Sequence, residues 1–283
     1  MIFDPRPCEL GEGPLWHPVR EQLFWFDILN RTLHSQAGGE PLSWTFPEMV
    51  SAAGWTAREA LFLASETGLS LFDIASGTRS PVAVMDSPTT RSNDGRTDRQ
   101  GGFWFGTMGK RAEKGAGAIW RWYRGELRQL FPGITIPNAI TFTPDGRAAH
   151  FADTVTGMVM KVALDAAGWP IGAPQVWLDL TAEGLNPDGA VIDAEGRFWN
   201  AQWGAGRVAA YAPDGSYLTA VETPGAPHSS CPAFGGPDMK TLFITTALEH
   251  LDAAARAANP ASGQVFAFPG VARGLPEPQV ILP

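Results

Sequence analysis

The chain has 283 residues, 44% hydrophobic and 18% charged, with a formal net charge of −8. That is enough chain to bury a core without staples, and the scattered acidic charge argues against nucleic-acid binding, which needs a basic face. No apolar run approaches the roughly 20 residues that span a bilayer.

The first residues, MIFDPRPCELGEG, carry no basic segment followed by an apolar stretch, so no secretory signal is read there. Only Cys8 and Cys231 are present. The expectation is a cytoplasmic protein with two reduced thiols and neither membrane nor nucleic-acid partners.

Long helical periodicity is almost absent, and a short module recurs instead: a polar turn, then an aromatic-rich strand. In chain order the copies read REQLFWFD, REALFLAS, QGGFWFGT, DGRAAHFAD, EGRFWNAQ and MKTLFITT. Aligned on Phe24, Phe62, Trp104, His150, Trp199 and Phe243, they are spaced by 38, 42, 46, 49 and 44 residues. An apolar strand ending in a turn precedes several of them, as in TFTPDGR, VIDAEGR and AFGGPDMK.

Six copies at this period predict an all-β, six-bladed β-propeller, with four-stranded antiparallel blades around a central channel and residues 1–283 as one domain. An irregular β-sandwich is the alternative. The apolar C-terminal PQVILP could pair beside the N-terminal segment to close the ring, which the sequence alone does not decide. Residues 248–258, LEHLDAAARAA, read as a short helix ended by Asn259-Pro260. It would be an insertion in the last blade, either a lid over one channel end or a surface decoration.

The repeat also locates a site. Counting back from the anchors, Glu12 lies 12 residues before Phe24, Asn93 11 before Trp104, Asn138 12 before His150 and Asp188 11 before Trp199. The other two blades have Val50 or Ser51, and Cys231 or Pro232, at that offset. Equivalent positions in a propeller share one level around the axis, so these four polar side chains should converge at one channel mouth. Converging buried carboxylates are unfavourable unless paired, and a divalent cation relieves them. Two carboxylates and amide oxygens form a hard, oxygen-only ligand set. Polar residues capping turns at strand starts are the simpler alternative.

Other chemistries find little support. The five histidines show no H-x-x-x-H or H-x-H spacing, and no G-x-S-x-G elbow or G-x-x-x-x-G-K-[ST] loop occurs. GAGRVA (204–209) resembles a dinucleotide fingerprint but leads into a strand. His150 reads as packing, whereas His228, before Ser229, Ser230 and Cys231, could reach the channel.

Four segments carry a resemblance: LGEGPLWHP (10–18), RSNDGRTDRQGGFWFGTMG (91–109), IPNAITFTPDGR (136–147) and NPDGAVIDAEGRFWNAQWGAGRV (186–208). In this order they resemble the regucalcin/gluconolactonase family of sugar-lactone lactonases, across nearly the whole chain. The resemblance implies a carboxylic-ester hydrolase that opens sugar (aldono) lactones to aldonic acids in carbohydrate catabolism. It implies one divalent metal held by Glu12, Asn138 and Asp188; Asp188, in touch with the metal, would also act as the catalytic general base toward water. Calcium is the first expectation, and oxygen ligands also permit zinc, magnesium, manganese or ferrous iron. It further implies substrate binding by Arg91 and Asn93 and, in AEKGAGAIW, by Glu113, with Trp203 and residues 228–231 as pocket walls. A non-enzymatic ligand-binding propeller, or an esterase or phosphotriesterase using the same site, are the competing functions.

Overall fold

The computed structural model describes residues 1–85 and 87–283. Six four-stranded antiparallel sheets form the molecule. The innermost strands of blades one to six are Gly11–His17, Val50–Ala57, Thr90–Thr97, Pro137–Phe142, Asn186–Ile192 and Ser229–Gly235. Each touches the next, and the sixth touches the first, so the ring is closed. This is the six-bladed propeller that the repeat predicts.

The repeated aromatic module is the second strand of each blade. All six anchors fall there, in Gln22–Asp27, Ala60–Ser65, Phe103–Gly109, Ala148–Asp153, Phe198–Trp203 and Thr241–Thr246. These strands are apolar on both faces because each blade is covered on both sides. In blade one, Phe24 and Phe26 enter the core shared with blade two, while Leu23 and Trp25 enter the core shared with blade six. Successive side chains of a strand point to opposite faces, so one strand serves two interfaces. Six apolar clusters result, one between each pair of neighbouring blades. Burying each such aromatic side chain contributes about 1.5–3 kcal/mol.

Ring closure takes another course. The strand Ile2–Asp4 pairs antiparallel with Val265–Pro269 and completes blade six from the N-terminus. PQVILP does not join that sheet. Its amides go elsewhere, Val280 N donating to Trp55 O (2.9 Å) and Ile281 N to Gly101 O (2.9 Å). The tail thus crosses from blade six to blades two and three, and Val280 is buried between them. Its apolar residues mark burial, and burial alone does not specify a strand.

The predicted helix is shorter than expected, Ala253–Ala258, capped by Asp252 Oδ1 accepting from Ala255 N at 2.8 Å. It lies between two strands of blade six, as the insertion predicts. Among the described residues, no helix is long and apolar enough to cross a membrane. Cys8 and Cys231 are buried and unpaired.

Candidate active site

Each innermost strand carries an extra residue near its start. In blade one Glu12 pairs with Phe26 and Leu15 with Phe24, so three steps on one strand match two on the other. The same irregularity follows Ser92, Asn138 and Pro187 in blades three, four and five. Such β-bulges bend a strand and re-aim its side chains. Gly13 takes φ +54° at its bulge, where a Cβ would lie 2.2 Å from Ser51 O. In blade five a Cβ on Gly189 would lie 2.3 Å from Cys231 Sγ. These two glycines permit close approach of neighbouring blades next to Glu12 and Asp188, and Cys231 is a packing partner there.

The bulges open on a cavity of about 470 Å³ lined by Glu12, Arg91, Asn93, Asn138 and Asp188. Five of the six expected site residues therefore meet in one place, each 3–6% exposed. A hydrogen-bonded belt ties three blades together. Arg91 Nη1 donates to Asn93 Oδ1 (2.8 Å), Asn93 Nδ2 to Asn138 Oδ1 (3.1 Å), Asn138 Nδ2 to Thr154 Oγ1 (2.8 Å), and Thr154 Oγ1 to Pro187 O (2.8 Å). The belt fixes both amides, with Asn138 Oδ1 turned toward Asn93 and away from Thr154.

The carboxylates are less satisfied. Glu12 Oε2 accepts from Gly13 N (3.0 Å) and Asp188 Oδ1 from Gly189 N (3.0 Å). Among the described residues, neither Glu12 Oε1 nor Asp188 Oδ2 accepts a hydrogen bond. Burial, then the nearby charge of Asp94, pushes the Glu12 carboxyl up to about 8. Burial, then the charges of Glu12 and Asp94, also raises Asp188 well above the usual carboxylate range. Two buried carboxylates with free oxygens beside an amide oxygen fit a divalent cation, which takes such hard donors and offsets their repulsion.

Glu113 is the expected residue that the structure does not bring into the cavity. Its side chain is 43% exposed and its carboxylate accepts from Arg111 N (3.1 Å) and Arg111 Nε (3.0 Å). The loop reaches the rim through Lys110, Arg111 and Ala112 instead. Trp203 is a wall, as expected; His228 stacks behind it, rings 4.2 Å apart and 11° from parallel, and is not a lining residue. His150 is packing: burial drives it down to about 3, and its ring meets Trp177 edge-on at 4.7 Å.

Sequence reasoning missed Glu249 and His250, which line the cavity from the segment before the short helix. Only the segment's unusual composition signalled them. The helix itself stands off the cavity. Asp94 was also missed: it is 4% exposed, and burial raises its carboxyl to about 6 against bonds from Ile140 N and the charge of Arg96.

Cys8, Asp27 and His34 form another group of metal-capable side chains, their ligand atoms all within 4.8 Å of one another. Asp27 is already committed there, accepting from Glu9 N, Leu10 N and Asn30 Nδ2. Asp153 plays the same part in blade four, accepting from Thr135 N and Ile136 N. The Asp27 group is thus a repeated strand-end anchor.

Known proteins share this chain's sequence pattern and fold. Residues 10–248 match the family model described as SMP-30/Gluconolactonase/LRE-like region. The crystal structure of a calcium-binding protein, regucalcin, from Agrobacterium tumefaciens strain C58 superposes with a TM-score of 0.97 at 42% identity, covering 99% of this chain and 97% of that one. The 6-deoxy-6-sulfogluconolactonase of Pseudomonas putida is 34% identical, covering 96% of this chain and 95% of the relative. The L-arabinolactonase of Azospirillum brasilense is also 34% identical, covering 94% and 90%. With the motifs, the ring of six blades and the model match in register, the chain belongs to the SMP-30/gluconolactonase/LRE-like family.

Proposed function

We propose that this enzyme hydrolyses sugar lactones to the corresponding aldonic acids, using one divalent cation held by Glu12, Asn138 and Asp188. The observation that carries the reading is the convergence of those three oxygen donors beside Arg91 and Asn93 in a single cavity. The relatives named as lactonases support the reaction class, and the calcium-binding neighbour supports the cation, with calcium the first candidate.

A cation bound there would polarise the lactone carbonyl and acidify water, which is worth several kcal/mol of transition-state stabilisation. Asp188 Oδ2, free of protein donors, takes the proton as water oxygen attacks the carbonyl carbon. The acyl–oxygen bond then breaks, and the proton returns from Asp188 to the departing ring oxygen, which becomes a hydroxyl. General base catalysis of this kind contributes about 10²–10⁴-fold. Arg91 keeps guanidinium donors beyond those used on Ser92 and Asn93 for the substrate, and Asn93 is held in place to bind ring hydroxyls. Glu113 acts on the substrate only through Arg111, which it holds at the rim. Leu10, Met108, Ile136 and Trp203 supply an apolar wall for the ring's C–H face.

The test is a substrate panel with metal-free protein reloaded with calcium, magnesium, manganese, zinc or ferrous iron in turn. Turnover of aldonolactones well above that of a phenyl ester and an organophosphate is expected. Equal or greater turnover of either competitor would reassign the substrate, and turnover of none would leave a binding protein.

A further inference from the structure

A β-bulge interrupts the strand ladder and leaves a backbone N–H needing another acceptor. Blades one and five meet this need with the site residue itself, since Glu12 accepts from Gly13 N and Asp188 from Gly189 N. Blade one also has Pro14, which has no N–H to satisfy. Blade four has neither device. Its site residue, Asn138, is spent on Asn93 and Thr154. The residue equivalent to Pro14 is Ile140, whose N–H is buried. The residue equivalent to Gly13 is Ala139, fully buried at φ +56°, a conformation that is strained for any residue with a Cβ.

Asp94 of the neighbouring blade resolves both problems. Its Oδ2 accepts from Ile140 N at 2.7 Å and its Oδ1 from Gly95 N at 2.8 Å. One carboxylate thereby caps the bulge that presents Asn93 and the bulge that presents Asn138. Strained backbone persists only where its surroundings over-determine it, and this cross-blade clamp is what does so around Ala139.

We infer that Asp94 is a positioning residue that holds the strained Ala139 bulge in shape and so aims Asn138 Oδ1 at the cation site. The inference rests on the cation site proposed above. It predicts that Asp94 acts through backbone geometry, and that relieving the strain at Ala139 substitutes for it.

Calcium titration calorimetry on the full-length, metal-free protein separates the cases, with the thermal unfolding of each variant confirming that it is folded. Asp94→Ala should weaken calcium binding by about tenfold or more, the usual scale for residues that orient a ligand. Asp94→Asn, which keeps one acceptor for Ile140 N, should lose less and covers the case in which Asp94→Ala does not fold. Adding Ala139→Gly to Asp94→Ala should recover much of the loss, because glycine accepts positive φ without strain. Three results would overturn the inference: wild-type affinity in Asp94→Ala, equal losses in the Ala and Asn variants, or no recovery with Ala139→Gly. The last two would mean that Asp94 acts by its charge. Absence of calcium, magnesium or manganese binding by the unmodified protein would instead remove the cation site itself.

Discussion

The carboxylates that line the cavity and those at the opposite end of the propeller are bonded to different degrees. At the end away from the cavity, Asp98 accepts from Arg121 Nε (2.7 Å), Trp104 Nε1 (2.9 Å) and Gly102 N (2.8 Å), with both charged side chains fully buried. Asp193 repeats the arrangement with Arg197 Nε (2.6 Å) and Trp199 Nε1 (2.8 Å). Arg96 pairs with Glu277 of the C-terminal tail and also donates to Ala190 O. At the cavity end, Glu12 and Asp188 each have one backbone donor and one free oxygen. Burial raises even the well-bonded Asp98 carboxyl above its ordinary value, so under-bonded carboxylates in a similar setting are costlier still. A saturated carboxylate is part of the scaffold, whereas an unsaturated one at the same depth keeps an oxygen with which to bind a ligand.

Removing one carboxylate from each end breaks or sharpens that contrast. Asp188→Ala should lower lactone turnover by at least about 10²–10⁴-fold, the largest effect expected. It should also leave the thermal stability of the metal-free protein unchanged or raised, since it removes a buried, under-bonded carboxyl from beside Glu12. Asp98→Ala should do the reverse for stability, costing about 3–5 kcal/mol by stranding the buried Arg121. Denaturant unfolding of the two variants without metal reads this directly. If both variants lose stability equally, the two ends do not differ in kind.

Metal removal gives the next effect in size. Chelation should cut turnover, and calcium added back at about a hundred times its Kd should restore it together with roughly 2.7 kcal/mol of stability, a shift of about 5 °C for a chain of this size. The shift should be pH-dependent. The Glu12 carboxyl lies at about 8, above its ordinary 4.5, so the folded metal-free protein binds a proton in that window which the unfolded chain does not. Its stability should therefore fall as pH rises from 4.5 through 8. Cation binding near pH 7 must expel that proton. Calorimetry in buffers of different ionisation enthalpy should detect the release; identical heats in all buffers would mean that Glu12 is already ionised.

The same contrast explains what could be read from the residues alone. The six aromatic strands were legible because every blade must cover both faces, which leaves an unbroken apolar signal at a regular period. Glu12, Asn93, Asn138 and Asp188 were legible because a repeat converts a sequence offset into a position around an axis. Asp94 was not, although it follows Asn93. Strand alternation places neighbours on opposite faces, and only the bulge brings Asp94 within electrostatic reach of Glu12 and Asp188. Glu249 and the tail residue Glu277 lie outside the repeat, so no offset applies to them. Ring closure was not legible because apolar character reports burial and does not report pairing.

Among the residues proposed to touch substrate without holding the cation, Asn93 should show a moderate effect. Asn93→Ala removes a hydrogen-bonding amide and loosens its links to Arg91 and Asn138, so KM should rise by about tenfold, the scale of one net hydrogen bond. kcat should change less. A fall in kcat with KM unchanged would move Asn93 from binding into the transition state.

The smallest effect is expected at Glu113, and it bears on where the site ends. An exposed ion pair is worth little because water screens it, and the carboxylate faces Arg111 of its own loop. Glu113→Gln should therefore change kcat/KM by less than about fivefold. Arg111→Ala removes the group that reaches the rim, so it should change kcat/KM at least as much, and the two changes together should not add. If Glu113→Gln instead raises KM strongly while Arg111→Ala does not, the carboxylate binds substrate directly. The loop at residues 110–116 would then have to swing inward on binding, carrying Glu113 across the rim that Arg111 now occupies.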